Sequence, residues 1–166
     1  MKLLVLALLA VTASAFAGQK VTLSGVHNCC KSCTKGIEKA VATVPGVTTA
    51  ADKETITLTA GTAADLQKAV DALFAAGFTG VSDNAAVKVA AVVAPDAEVT
   101  TLTISGAHLC CGKCVTAAEK AILGVSGVTG HTAEKNSETF KVEGKFNAKA
   151  VMASLAKAGF SAKASK

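Results

Sequence analysis

The sequence predicts an α+β protein made of two tandem copies of one βαββαβ domain. Three observations carry this: a whole-domain repeat, the same order of hydrophobic periodicities in each copy, and a glycine stop after the second helix of both. The repeat is plainest with His27 set on His108, an offset of 81. Thr22-Leu23-Ser24-Gly25 then falls on Thr103-Ile104-Ser105-Gly106, and Ile37, Val41, Val44, Gly46 and Val47 on Ala118, Ile122, Val125, Gly127 and Val128. One residue further out of step, Leu73, Ala76, Gly77 and Phe78 match Leu155, Ala158, Gly159 and Phe160.

Taken in order, Val21 and Leu23 alternate with polar residues, as do Leu102 and Ile104, which predicts a half-buried strand ending at Gly25 or Gly106. Cys33, Ile37, Ala40, Val41 and Val44 then recur at helical spacing until Pro45-Gly46; Cys114, Ala118, Ala121, Ile122 and Val125 repeat that stripe. Two short strands follow, about 47–51 and 55–59, turned by Asp52-Lys53-Glu54, with 128–132 and 139–143 as their counterparts. A second helix over 63–75 has Thr62 and Asp65 as a capping pair and Leu66, Ala69, Val70 and Leu73 on its apolar face; Asn147, Ala148, Val151, Met152 and Leu155 repeat it. Ala-Gly-Phe closes each helix, with Gly77 and Gly159 at the stop, and opens a last edge strand. This order is that of a ferredoxin-like domain, two helices on one face of a four-stranded antiparallel sheet.

Residues 1–17 have one Lys, an apolar run from Leu3 to Val11 and a small-residue end at Ala15-Phe16-Ala17, the layout of a signal peptide. The expected organisation is a signal peptide over 1–17, domain 1 over 18–82, a linker over 83–98 and domain 2 over 99–166. The linker is expected to extend the last strand of domain 1 before it loosens. An exported, periplasmic or extracellular protein is implied, with no stable membrane insertion after cleavage, since no later segment nears about 18 unbroken apolar residues.

Composition narrows the function. The formal charge is +5, but the basic residues are all Lys and are dispersed, and there is no Trp or Tyr, so no nucleic-acid surface is expected. No Ser-His-Asp set, carboxylate pair or phosphate loop is recognisable, and the chain is read as not an enzyme. Lys31 and Lys113 do not align and take no specific role, and His131 has no counterpart and is read as a solvated loop residue.

All six cysteines lie in two clusters, Cys29, Cys30, Cys33 and Cys110, Cys111, Cys114. Three within five residues cannot staple distant loops, so metal ligation or redox chemistry is indicated. Each C-x-x-C sits where a strand turns into a helix, and the helix dipole there, with Lys31, Lys35 and Lys113 nearby, is expected to favour thiolate. His27 and His108, two residues before each cluster, offer imidazoles. Three sulfurs and one imidazole suit tetrahedral Zn(II), whereas two or three sulfurs suit Cu(I). The candidate metal ligands are His27, Cys29, Cys30, Cys33, His108, Cys110, Cys111 and Cys114, with one soft or borderline ion per domain. A thiol-disulfide oxidoreductase and a module with stabilising metal sites are the alternatives.

Gly25, Cys30-Lys31-Ser32-Cys33, Ile37-Glu38, Pro45-Gly46-Val47 and Ala76-Gly77-Phe78 together resemble the heavy-metal-associated domain. That family includes copper chaperones, the N-terminal domains of metal-pumping ATPases and periplasmic mercury-binding proteins. The resemblance covers nearly all of both copies. It implies soft-metal binding by Cys30 and Cys33, and by Cys111 and Cys114, with a metal-transporting or metal-accepting protein as partner. Phe78 and Phe160 stand at the family's aromatic position. The loop departs from the family pattern G-M-x-C-x-x-C: it is two residues longer, lacks the Met, and adds a Cys and a His. That departure implies a more enclosed site of three or four ligands.

Overall fold

A computed structural model describes residues 18–165; the signal peptide expected over 1–17 lies outside the described residues. Domain 1 contains β1 (Gln19–Ser24), α1 (Lys31–Val41), β2 (Thr48–Asp52), β3 (Thr55–Ala60), α2 (Ala63–Ala75) and β4 (Val81–Ser82). Domain 2 contains β5 (Glu98–Ser105), α3 (Gly112–Leu123), β6 (Val128–His131), β7 (Thr139–Asn147), α4 (Ala148–Lys157) and β8 (Lys163–Ser165). The sheets run β2-β3-β1-β4 and β6-β7-β5-β8, antiparallel throughout. This is the predicted ferredoxin-like order, twice.

Aliphatic residues build each core. Val21, Leu23, Ile56 and Leu58 line the inner face of sheet 1 beneath Ile37, Val41, Leu66 and Leu73; Leu102, Ile104, Phe140 and Val142 do the same beneath Ile122, Val151 and Leu155. The capping pair stands as expected, with Thr62 Oγ accepting from the Asp65 N–H at 3.1 Å. β7 runs to Asn147 rather than stopping near Glu143. Its extra residues carry Phe146 into the core opposite Val99, past a register shift in β5, and the Asn147 side chain caps α4 by accepting from the Ala150 N–H.

Two expectations are corrected. The linker does not extend β4. After Asp83, whose N–H and carboxylate both pair with the Thr22 backbone, the chain leaves the sheet edge and packs along α2. There Val87 is buried, and the Gln67 amide exchanges two hydrogen bonds of 2.8 Å with the Lys88 backbone. Burying Val87 stabilises this path. His131 is not a solvated loop residue: it ends β6, and its Nδ1 accepts from the Ala133 N–H at 3.2 Å.

The two domains dock about a local pseudo-twofold through the residues that end their second helices. Phe78 and Phe160 form an antiparallel bridge. The Thr79 N–H donates to Gly159 O, and the Ser161 N–H to Gly77 O, each at 3.1 Å. Ser161 and Thr79 are buried, and the Ser161 hydroxyl donates to Phe74 O. Gly77 and Gly159 have φ of +92° and +84°, as helix stops do. They also let backbone approach backbone: a Cβ on Gly159 would lie 2.2 Å from His27 N, and one on Gly77 2.6 Å from His108 N. The residues that stop each helix thus hold the other domain's cysteine loop.

Candidate metal centre

Because the docking surface includes both cysteine loops, the two clusters do not stand apart, one to each domain. They meet. Cys30 and Cys111 occupy the N-cap positions of α1 and α3, while Cys33 and Cys114 lie one turn in and are fully buried. Cys29 and Cys110 come from the loop ahead of each helix and are half-buried. All six are free thiols.

Within domain 1, Cys29 and Cys33 sulfurs are 3.8 Å apart and Cys30 and Cys33 3.7 Å. In domain 2 the equivalent separations are 3.6 and 3.5 Å. Across the interface Cys29 lies 3.8 Å from Cys111 and 3.7 Å from Cys114, Cys30 3.7 Å from Cys111, and Cys33 3.6 Å from both Cys110 and Cys114. Two thiolates on a tetrahedral ion with bonds of about 2.3 Å lie about 3.8 Å apart, so these separations fit sulfurs that share a metal. The cysteine cluster has the donor set and spacing of a metal site that both domains build.

The histidines divide. His27 joins Cys29, Cys33 and Cys114 in a donor set whose ligand atoms are all within 4.8 Å of one another. This is the three-sulfur, one-imidazole set expected from sequence, with one sulfur supplied by the other domain. His108 joins no such set among the described residues. Each ring packs on the other domain's phenylalanine, His27 stacked on Phe160 with centroids 4.2 Å apart and His108 tilted against Phe78 at 4.4 Å. Both Nε2 atoms are buried without a hydrogen-bond partner. An unpaired buried ring nitrogen costs roughly 1–3 kcal/mol. Burial lowers both histidine pKa values, and for His27 the nearby His108 adds to the effect while Glu54 opposes it. Neutral imidazole, the form that binds metal, is favoured.

The thiols divide by position as well. The Cys33 N–H in the first turn of α1 stabilises the Cys30 thiolate and lowers its pKa to about 6; the Cys114 N–H lowers Cys111 in the same way. Lys31, Lys35 and Lys113 remain exposed, so the helix starts rather than the lysines provide the main stabilisation. Desolvation raises Cys29 and Cys114 above the ordinary thiol range, reinforced by neighbouring sulfurs, and pushes Cys110 up to about 12. Without a cation the cluster therefore favours thiolate at its two helix starts and holds protons on Cys29, Cys110 and Cys114. Brief alkylation of the reduced protein at pH 7 is expected to label Cys30 and Cys111 at least tenfold faster than Cys29, Cys110 and Cys114, read by peptide mass spectrometry; equal rates would contradict this ordering.

Sequence reasoning found every sulfur but not their convergence. Gly77 and Gly159, which it read as helix stops only, also carry the docking that brings the sulfurs together. Their Ala-Gly-Phe context, repeated at the same place in both copies, was the available signal.

No protein-family model and no curated protein matches the chain. Among solved structures, the solution structure of the N-terminal soluble domains of Bacillus subtilis CopA is similar to it at 21% identity, over 89% of this chain and 94% of that one, with a TM-score of 0.31. The domain fold is accordingly defined by the chain's own strand order.

Proposed function

We propose that this chain is an exported, non-catalytic protein that binds soft metal ions through thiolates of both its domains, and that it sequesters them. One observation carries the reading: six free thiols from the two domains converge, with sulfurs 3.6–3.8 Å apart across the domain interface. Two buried acceptor nitrogens lack partners beside them. The resemblance to the heavy-metal-associated domain supports soft-metal chemistry, with Cu(I) favoured over Zn(II) because sulfur dominates the donor set. Export rests on residues 1–17, and no helix among the described residues is long and apolar enough to cross a membrane.

Retention is favoured over rapid hand-over because Cys33 and Cys114 are fully buried where the domains meet. A transfer loop keeps its thiolates open to an incoming partner. Here an acceptor, such as a metal-transporting protein, reaches Cys30 and Cys111 first, and full release requires the domains to part.

Binding must displace protons from Cys29, Cys110 and Cys114, so affinity falls as pH drops, by about tenfold per pH unit for each proton released. Anaerobic titration of the reduced chain with Cu(I) and with Zn(II), against a competing chelator and at several pH values, tests the reading. Stoichiometric binding that weakens toward acid is expected; failure to bind either ion stoichiometrically overturns it.

A thiol-disulfide oxidoreductase is the second reading, favoured by the low pKa of Cys30 and its 3.7 Å separation from Cys33. It requires catalysed reduction or isomerisation of a test disulfide, and an absence of turnover removes it.

A further inference from the structure

The six sulfurs form more than a close group. Besides the nine pairs at 3.5–3.8 Å, Cys29 and Cys30, Cys30 and Cys110, and Cys110 and Cys111 lie within 4.8 Å. Together these pairs are the edges of an octahedron whose opposite corners are Cys29 and Cys110, Cys30 and Cys114, and Cys33 and Cys111. Its eight faces fall into two alternating sets of four, one of them Cys29-Cys33-Cys114, Cys29-Cys30-Cys111, Cys30-Cys33-Cys110 and Cys110-Cys111-Cys114. Within that set each sulfur belongs to two triads, and no pair of sulfurs is shared between them.

We propose that this octahedron is a cage for four monovalent soft ions, Cu(I) as the type case, one on each alternate face, with every thiolate bridging two ions. The proposal rests on the soft-metal reading above and specifies its stoichiometry. The Cys29-Cys33-Cys114 face has edges of 3.6–3.8 Å, so its centre lies about 2.1 Å from each corner and a small outward relaxation of the sulfurs gives three metal–thiolate bonds of about 2.3 Å. Soft, sulfur-loving monovalent ions accept three such ligands, whereas Zn(II) demands four and would need a further donor on every face. Among the described residues, only the Cys29-Cys33-Cys114 face is given one, by His27.

Charge points the same way. Six thiolates carry six negative charges, which no single divalent ion offsets in a buried site, while four monovalent ions leave a residual charge of two. The thiol protons go to solvent as the ions enter, no electron is transferred, and the cage uses only ligands already converged by the domain docking.

The test is anaerobic titration of the reduced full chain with Cu(I), followed by native mass spectrometry and copper X-ray absorption. A species with four Cu(I) per chain is expected to accumulate beside metal-free protein at low loading, because each added ion organises sulfurs used by its neighbours. Absorption is expected to show three sulfur neighbours and a copper–copper path. Cys30→Ser puts a favourable N-cap residue at the start of α1 but removes one bridge, leaving two complete faces, and is expected to fall from four ions to two. Saturation at one or two isolated ions in the unaltered chain, or four ions retained by C30S, overturns the cage. A chain that binds neither Cu(I) nor Zn(II) overturns the cage and the functional reading together, whereas Zn(II) binding without Cu(I), or mononuclear Cu(I) binding, overturns the cage alone.

Discussion

Replacing Cys33 by serine is expected to lower metal affinity by at least about a hundredfold and to do so at both ends of the cluster. Cys33 is fully buried, and its sulfur lies within 3.8 Å of Cys29, Cys30, Cys110 and Cys114. Removing it therefore breaks contacts with two sulfurs of domain 1 and two of domain 2 at once. Losing even an outer-shell partner commonly costs a metal site 10–100-fold, and losing a direct, shared ligand should cost more. The serine hydroxyl is smaller and would sit among poor acceptors, so stability also falls, by roughly 1–3 kcal/mol. Chelator competition measures the affinity, and circular dichroism shows whether both domains remain folded. A folded C33S chain with unaltered affinity would contradict the site as described.

Gly159→Ala is expected to undo the docking without unfolding either domain. The substitution first meets a left-handed backbone conformation that costs a side chain about 1–2 kcal/mol. It then sets a methyl group 2.2 Å from His27 N and 2.5 Å from Gly25 O, contacts that only separation of the two domains' backbones can relieve. Gly46→Ala is the control. Its φ of +78° imposes the same conformational cost, yet a Cβ there meets nothing within 4 Å. Both variants should therefore lose comparable stability within domain 1 or domain 2. G159A alone should expand the molecule in solution scattering and weaken metal binding, because His27, Cys29 and Cys30 sit on the loop it displaces. If G159A keeps the compact form and full affinity, the glycine contact does not hold the loops together.

The elements of each domain were legible because their signals are local. The alternation of Val21 and Leu23, the stripe from Cys33 to Val44 and the Thr62 cap are decided within a few residues, and the repeat supplied each of them a second time. β7 ran past its expected end because Phe146 is held by a partner in β5 that no local pattern announces. The linker path turned on Gln67 meeting Lys88, residues far apart in sequence.

The site shows the same division. All six thiols were visible as candidate ligands, and so was the helix-start chemistry that lowers Cys30 and Cys111. Their joining into one cluster was not, because it depends on how two folded domains pack. Equally, a histidine at the same distance from each cluster suggested equivalent roles, yet among the described residues only His27 falls in a donor set. The loops differ beside them: Asn28 accepts from the Thr34 hydroxyl, while its counterpart Leu109 is buried.

The central claim, that the two domains bind metal jointly, is tested most directly by removing one triad at a time. C29S/C30S/C33S and C110S/C111S/C114S chains, each shown to be folded, are titrated with Cu(I) against the same chelator as the unaltered protein. Joint binding predicts that neither variant retains an appreciable fraction of the original ions at the original affinity. Two half-capacity chains, each binding as tightly as the whole, would show that the domains bind metal independently and would contradict the account.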